Sequence, residues 1–231
     1  MVWYSVKPGL IPSLDVSLDK LSILLSDIDD IKAVYALKIG ALLELDGLKK
    51  VISKIRDYTQ IPIIIDHQKL ADIPSIIKKV VEKIAAYDAN GMILLGYVGP
   101  VSITTFIETC KDHGLASYIV AEMSHKGASE YIKEDTPLKI AKLAKDLNAT
   151  GIVCPATKTE SIQKCAAIIK GSSLGIMSPG HGPQGGGADS AVMAGADWIV
   201  VGRSFYNSPS PKQILINLGN VIINKWNDIQ S

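Results

Sequence analysis

Residues 61–74, Ile-Pro-Ile-Ile-Ile-Asp-His-Gln-Lys-Leu-Ala-Asp-Ile-Pro, join an apolar run to three alternating charges. The apolar run is typical of a buried parallel strand. The charges that follow it, Asp66, Lys69 and Asp72, are not needed to hold a strand in place. In an α/β barrel they would lie at the end of the barrel where chemistry takes place. Taken alone, the stretch fits a surface loop with a helix cap equally well, so the surrounding elements must decide.

A second chemical signature is the loop of residues 178–187, which has five glycines in ten residues. Glycine lets backbone N–H groups approach an anion closely. Arg203, which follows Gly202, has a side chain suited to bidentate phosphate contacts. A flexible loop and a surface arginine are the alternative, but barrels often bind phosphate between strands seven and eight, which favours a phosphate site. These glycines do not follow the first strand, which excludes a dinucleotide-binding fingerprint.

Strand-like and helix-like segments alternate along the whole chain. The predicted strands are residues 9–15, 33–39, 61–66, 91–96, 116–121, 151–154, 174–178 and 197–201. The predicted helices are residues 18–29, 41–57, 72–87, 101–112, 137–147, 159–169, 188–194 and 210–226, and Asp72 is the expected N-cap of the third. Strict alternation implies parallel strands with right-handed crossovers. Eight such units in 231 residues predict a closed (β/α)8 TIM barrel, formed by one domain over residues 1–231.

A barrel would gather the polar residues at the strand ends on one rim. These residues are Asp15, Lys38, Asp66, Lys69, Asp72, Glu122, Ser124, the loop 178–187, Gly202 and Arg203. The histidines His67, His113, His125 and His181 have no metal-ligand spacing, so no metal site is predicted. Ser124 has no accompanying His and Asp arrangement, so we interpret it as a hydrogen-bond donor to a ligand.

The composition excludes several classes of protein. With 47% hydrophobic and 20% charged residues, the chain can form a sizeable core and is not expected to be disordered. A net charge of +1, spread along the chain, gives no electrostatic footprint for nucleic acid or an acidic membrane surface. The three cysteines indicate neither a disulfide framework nor a zinc site. Without a signal-peptide pattern or a membrane-length apolar run, a cytoplasmic protein is expected.

Six short motifs at the predicted strand ends resemble the orotidine 5′-monophosphate decarboxylase family, particularly its archaeal form. They are Leu-Asp at 14–15, Leu-Lys-Ile-Gly at 37–40, Lys-Leu-Ala-Asp-Ile-Pro at 69–74, Glu-Met-Ser-His at 122–125, Pro-Gly-x-Gly-x-Gln-Gly-Gly at 179–186 and Val-Gly-Arg-Ser at 201–204. The resemblance covers nearly the whole chain. It implies decarboxylation of orotidine 5′-monophosphate (OMP) to UMP and carbon dioxide in pyrimidine biosynthesis, with no cofactor.

The resemblance also implies roles for individual residues. Lys69 would protonate C6 of the pyrimidine as carbon dioxide leaves. Lys38, Asp66 and Asp72 would complete an alternating Lys/Asp array, with Asp72 reaching the site of the partner subunit in a homodimer. An ammonium group held near C6, as that of Lys69 would be, could act both as counter-charge and as acid. Decarboxylation leaves negative charge on a carbon without a conjugated electron sink.

The same resemblance implies contacts to the rest of the substrate. Asp15 and Lys38 would hold ribose hydroxyls, and Ser124 would bond the pyrimidine amide. Gln184, Arg203 and the backbone of residues 179–189 would take the phosphate. The full implied substrate-binding set is Asp15, Lys38, Asp66, Lys69, Asp72, Ile73, Ser124, Pro179, Gly180, Gln184, Gly185, Gly202 and Arg203.

The chain departs from the family at two places, one inside the pattern Asp-x-Lys-x-x-Asp and one after it. Asp66 lies three residues before Lys69 instead of two, so counting back from the lysine puts His67 in the Asp position. We favour one inserted residue after Asp66, since a bulge re-aims a side chain beside an active site, whereas histidine would break the charge alternation. Ile76 stands where the family often has a threonine that contacts the neighbouring subunit's ligand, and Ser75 could compensate in part.

Two alternatives remain at this point. A keto-sugar-phosphate decarboxylase or hexulose-phosphate synthase of the same broad group shares the Asp/Lys/Asp motif but uses magnesium. The resemblance implies that these magnesium-dependent enzymes have an acidic residue at the position of Lys38. The lysine therefore argues against this alternative. The displaced Asp66 makes a catalytically inactive, phosphate-binding barrel the second alternative.

Overall fold

Eight short parallel strands form the centre of the molecule. The computed structural model describes residues 8–67, 70–125, 127–182 and 185–230. The strands are β1 Gly9–Leu14, β2 Leu37–Ile39, β3 Ile63–Asp66, β4 Gly91–Leu95, β5 Ala116–Val120, β6 Gly151–Val153, β7 Gly175–Ser178 and β8 Trp198–Val201. Each strand pairs with the next, and β8 returns to pair with β1, so the sheet is closed. The predicted (β/α)8 barrel is confirmed.

Helices follow the strands and cover the outside of the barrel. The α-helices are α1 Leu21–Leu25, α2 Ala41–Glu44, α3 Leu48–Arg56, α4 Pro74–Ala85, α5 Pro100–Asp112, α6 Ala128–Tyr131, α7 Thr136–Asp146, α8 Thr159–Ile169, α9 Ala188–Met193, α10 Arg203–Tyr206 and α11 Pro211–Gln230. Short 3-10 helices span Leu18–Lys20, Ile28–Asp30 and Gly96–Val98. Within the described ranges, no helix is both long and apolar enough to cross a membrane.

Several predicted boundaries were wrong. The helix predicted over 18–29 is divided, because Asp27 adopts a left-handed backbone (φ 56°) after α1. The helix predicted over 41–57 is interrupted between α2 and α3, where Gly47 has φ 94°. The second strand begins at Leu37 instead of residue 33. The described residues also contain two short helices, α6 and α10, that the sequence pattern did not predict.

The predicted N-cap of α4 was also wrong. The cap is Ile73, with extended backbone angles, and Pro74 occupies the first turn. Proline is favoured at the first helical position, which makes the preceding residue the N-cap. Asp72 lies one residue earlier, and its Oδ1 accepts a hydrogen bond from the backbone N–H of Ile73 at 2.7 Å.

Alternation along the strands divides the buried residues into two layers. Side chains of one parity fill the barrel, as Ile64 does, while those of the other parity, such as Ile65, pack between barrel and helices. At the N-terminal end the barrel is closed by Trp198, which stacks on Tyr35 with ring centroids 4.9 Å apart. A Cβ on Gly175 would lie only 2.3 Å from the Trp198 ring, so glycine makes room for it. The opposite end of the barrel is open.

Candidate active site

A cavity of about 510 Å3 occupies the C-terminal end of the barrel. Eight of the predicted site residues line it: Asp15, Lys38, Asp66, Ser124, Pro179, Gly180, Gly202 and Arg203. Apolar residues from the middle strands and from β7 and β8 form much of the remaining wall: Ile93, Leu95, Val120, Val153, Met177 and Val200. The cavity therefore combines a polar rim with an apolar wall, as small-molecule sites generally do.

Strand periodicity explains why these particular side chains face the cavity. Asp66 lies two residues after Ile64, which fills the barrel interior, and therefore points inward as the last residue of β3. Lys38 follows Ala36, another interior residue, in the same way. The register pairs Lys38 with Ile64, one inward position below Asp66 on the neighbouring strand, and the long lysine side chain reaches the Asp66 carboxylate.

Among the described residues, the closest charged contact in the cavity joins Lys38 to Asp66. The Lys38 Nζ lies 2.5 Å from the Asp66 Oδ2, and each side chain is only 9% exposed. The Asp15 carboxylate lies 4.0 Å from the same ammonium and is 37% exposed. Burial alone would lower the pKa of Lys38, but Asp66, Asp15 and Glu44 together raise it above its usual value. Lys38 is therefore a fixed cation in the cavity wall.

Asp15 is held in place by its immediate neighbours. Its Oδ2 accepts a hydrogen bond from the Ser13 hydroxyl at 2.5 Å. Its Oδ1 occupies the space where any residue other than glycine at position 40 would have a Cβ, since the two positions are 1.9 Å apart. Gly40 is thus required for the Asp15 carboxylate to lie beside Lys38.

The side chains of Asp66 and His67 lie in different surroundings. Asp66 contacts Lys38 in the cavity, whereas His67 lies outside the cavity lining and directs its Nδ1 at the carboxylate of Glu44, at distances of 3.0 and 3.1 Å. Regular pairing of β3 with β4 continues to Asp66, opposite Ile93. Asp66 is therefore the inward-facing carboxylate at the end of β3, and the one-residue insertion before Lys69 stays a prediction. Lys69 itself lies outside the described residues.

Asp72 and Ile73 are not part of the cavity wall formed by this chain. Both are exposed, Ile73 at 61%. Ser75 is exposed as well, and Ile76 is 36% exposed. Val101, at the start of α5, adds a side chain that is 70% exposed. Asp72 thus lies among solvent-facing apolar residues at the N-terminal ends of α4 and α5.

The glycine-rich loop after β7 follows a compact path. Gly180, Gly182 and Gly185 have φ values of 96°, 80° and 89°, which side-chain-bearing residues rarely adopt. Hydrogen bonds within the loop join the Gly185 N–H to the Gly182 carbonyl and the Gly186 N–H to the Gly180 carbonyl. Gly185 does not line the cavity, and Gln184 lies outside the described residues.

Arg203 begins α10 on the cavity side of this loop and is exposed. In the described part of the chain no carboxylate lies within ion-pair distance of its guanidinium group. A guanidinium without a carboxylate partner can bind an anionic ligand directly. The sequence-predicted phosphate residues Pro179, Gly180, Gly202 and Arg203 are brought together here.

Sequence reasoning missed several residues of the cavity. They are Ser13, Ala41 and Tyr206, together with the apolar wall. Period-two alternation counted back from each rim residue would have found Ser13 and the apolar wall. Glu122, at the cavity edge, is fixed by Lys158 at 2.6 Å. Over the ranges that the structure describes, no three His, Cys, Asp or Glu side chains form a metal-ligand cluster.

Comparisons with known proteins agree with this geometry. The sequence profile of the "Orotidine 5'-phosphate decarboxylase / HUMPS family" matches residues 8–216. The orotidine 5'-phosphate decarboxylase of Methanococcoides burtonii is 38% identical over 189 residues, 80% of this chain and 81% of that protein. The enzyme of the same name from Methanosarcina mazei is 36% identical over 189 residues, 82% of this chain and 84% of that protein.

Solved structures show the same relationship. The orotidine 5'-monophosphate decarboxylase of Methanocaldococcus jannaschii, complexed with the inhibitor BMP, superposes with a TM-score of 0.84 at 29% identity, covering 94% of this chain and 99% of that one. The Sulfolobus solfataricus enzyme gives a TM-score of 0.78 at 30% identity, covering 95% and 99%. The chain belongs to the orotidine 5'-phosphate decarboxylase / HUMPS family.

Proposed function

We propose that this protein is an orotidine 5′-phosphate decarboxylase that converts OMP to UMP and carbon dioxide in pyrimidine biosynthesis. One observation carries the proposal: a single cavity combines the buried Lys38–Asp66 pair with the glycine-rich loop and Arg203. β3 and β7 are on opposite sides of the eight-membered ring of strands. A nucleotide could therefore place its phosphate at one wall and its base at the other.

Binding of the substrate would use both walls. Arg203, Gln184 and the backbone of the loop after β7 would bind the phosphate, and Asp15 and Lys38 would hold the ribose hydroxyls. Ser124 would bond the pyrimidine amide, while the apolar wall excludes water from the ring. Phosphate contacts far from the reacting carbon can supply binding energy that is used in the transition state.

The chemical step would take place beside the Lys38–Asp66 pair. The bond from C6 to the carboxylate breaks, its electron pair remains on C6, and Lys69 donates a proton to that carbon. The ammonium of Lys38, whose pKa is raised by neighbouring carboxylates, adds fixed positive charge near the developing carbanion. Asp66 would place a negative charge near the departing carboxylate, and no cofactor is required.

We further propose that the active enzyme is a homodimer in which Asp72 completes the site of the partner subunit. The support is the exposure of Asp72 beside Ile73, Ile76 and Val101, since clustered exposed apolar residues mark interaction surfaces.

Active sites shared between subunits predict complementation between two inactive variants. A mixture of the inactive variants Lys69→Ala and Asp72→Ala, exchanged after mild denaturation, should regain about a quarter of wild-type activity, because half of the dimers are mixed and each has one intact site.

Each variant exchanged with itself is the control for this complementation. If the mixture stays as inactive as the separate variants, although mixed dimers form, then Asp72 does not act across the interface.

The function is tested by the loss of orotidylate absorbance on adding purified protein in the presence of a chelator. We expect turnover under these conditions, and we expect Lys69→Ala to abolish it while UMP still binds. Lys142→Ala, which changes an exposed lysine of α7, should keep the full rate. Turnover only with added magnesium would indicate a metal-dependent member of the family, and UMP binding without turnover would indicate an inactive barrel.

A further inference from the structure

The side chain of His67 makes a partly buried contact on the outer side of the cavity wall. Its Nδ1 lies 3.1 and 3.0 Å from the two carboxylate oxygens of Glu44. Because a carboxylate only accepts hydrogen bonds, His67 is the donor. The two side chains are 29% and 17% exposed, against 57% and 38% for Lys78 and Glu82 in a surface pair on α4. The contact is shielded enough from solvent to restrain the backbone.

This contact is the second of two links between the same two segments of chain. Lys38, at the end of β2, contacts Asp66 on the cavity side. Glu44 ends α2, which begins directly after Gly40, and contacts His67 on the other side. Residues 38–44 are thus joined to the end of β3 by one ion pair inside the barrel and by one polar contact outside it.

The outer link acts where sheet pairing stops. The pairing of β3 with β4 ends at Asp66, opposite Ile93. Beyond that point, the backbone carbonyl of His67 accepts a hydrogen bond from the N–H of Leu70 at 3.0 Å, and Leu70 is only 8% exposed. His67 directly follows Asp66. It is therefore held both by its side chain, through Glu44, and by its backbone carbonyl, through Leu70.

We propose that His67 and Glu44 are positioning residues that hold the Asp66 carboxylate against Lys38. A buried ion pair is favourable only when its geometry is well maintained, and a strand end without ladder bonds does not maintain it alone. His67, one of the two residues between Asp66 and Lys69 where the family pattern has one, thereby has a function, because its side chain anchors the strand end that carries Asp66. This inference rests on the proposed decarboxylase function.

The test separates the chemical step from nucleotide binding. In Glu44→Leu and in His67→Leu, kcat for OMP should fall about 100-fold, the effect expected when a reacting group is displaced by about 1 Å. The Kd of UMP, measured by titration, should change less than about threefold, since the phosphate loop and Arg203 are untouched. The double variant should be no slower than the slower single variant, because the two residues form one link.

Conservative variants keep the test independent of folding. Glu44→Gln keeps an acceptor and His67→Asn keeps a donor at the δ position, so each should recover most of the rate lost in the leucine variants. Glu44→Asp, which shortens the side chain by one methylene, should lose about tenfold in kcat at unchanged melting temperature. Glu82→Gln, which removes the exposed pair on α4, is the matched control and should keep the wild-type rate.

The outcomes are distinguishable. Absence of turnover in the wild-type protein would reject the proposed function and leave the role of His67 without a basis. An active wild type with unchanged kcat in Glu44→Leu, His67→Leu and Glu44→Asp would overturn the positioning role. A parallel fall of kcat, UMP affinity and melting temperature would also overturn it, because it would show a purely structural contact.

Discussion

Each end of the barrel has a carboxylate shielded from solvent, buried for Asp66 and partly buried for Asp197, and the two have different polar partners. Asp66, at the C-terminal end of β3, has the Lys38 ammonium 2.5 Å away. Asp197, immediately before β8 at the N-terminal end, accepts a hydrogen bond at 2.8 Å from the backbone N–H of Ile176. Burial raises the pKa of Asp197 to about 6, and the Ile176 hydrogen bond offsets only part of this rise.

The different partners of the two carboxylates indicate different roles for the two ends of the barrel. At the closed end, Asp197 ties neighbouring strands together, since its backbone also bonds Ile176 and Gly9. At the open end, Asp66 and Lys38 face a cavity and are supported by a second contact behind them. A buried charge with a counter-ion is useful for chemistry. Asp197 is partly buried and has no counter-ion among the described residues, and such a carboxylate mainly makes stability depend on pH.

The largest expected effect comes from removing the cation at the open end. Lys38→Met keeps the length of the side chain but leaves Asp66 buried without the ammonium beside it. We expect the free energy of unfolding, measured in urea, to fall by about 3–5 kcal/mol, as when one partner of a buried pair is lost. Turnover should fall by at least about 1000-fold, because the fixed charge is also lost from the site.

The double variant Lys38→Met/Asp66→Asn is the control for this first effect. It should regain most of the lost stability and none of the activity, since the carboxylate charge that Lys38 balanced is gone but the Lys38 ammonium is not restored to the site. A single Lys38→Met variant as stable as the wild type would show that the open end does not depend on the pair.

The barrel and its rim could be predicted from the sequence because both follow from short-range patterns. Apolar runs fix the strands, and the polar residue after each run marks the rim, as Asp15 and Lys38 do. The structure was needed to show that the Asp66 side chain faces the cavity. Either Asp66 or His67 could follow the strand, and only the residue two positions after Ile64 points inward. Glu44, which contacts His67 on the outer side, is 23 residues away from it along the chain, and the sequence analysis did not identify it.

Other errors had a local cause that the sequence did contain. Pro74 at the first helical position makes Ile73 the N-cap of α4, so Asp72 could have been excluded as the cap. The division of the helix predicted over 41–57 depends on Gly47 adopting a positive φ, which its residue type permits but does not require.

The smaller expected effect concerns the closed end, where ionisation of the Asp197 carboxylate lowers the stability of the folded protein. Because the pKa of Asp197 is about 6 in the folded protein and its ordinary value is 3.8, the folded state binds the proton more tightly between these values. The free energy of unfolding contributed by this residue therefore falls as pH rises from about 4 to about 6, by up to about 3 kcal/mol, and is constant above that range.

Asp197→Asn keeps an oxygen acceptor for the Ile176 N–H but does not titrate. The stability of the wild type relative to this variant, measured by urea unfolding at pH 4, 5, 6 and 7.5, should decrease over that window, while other titrating groups cancel in the difference. A difference that is independent of pH, or that grows in favour of the wild type as pH rises, would mean that Asp197 is stabilised as a carboxylate, and the contrast between the two ends of the barrel would then rest on Lys38 alone.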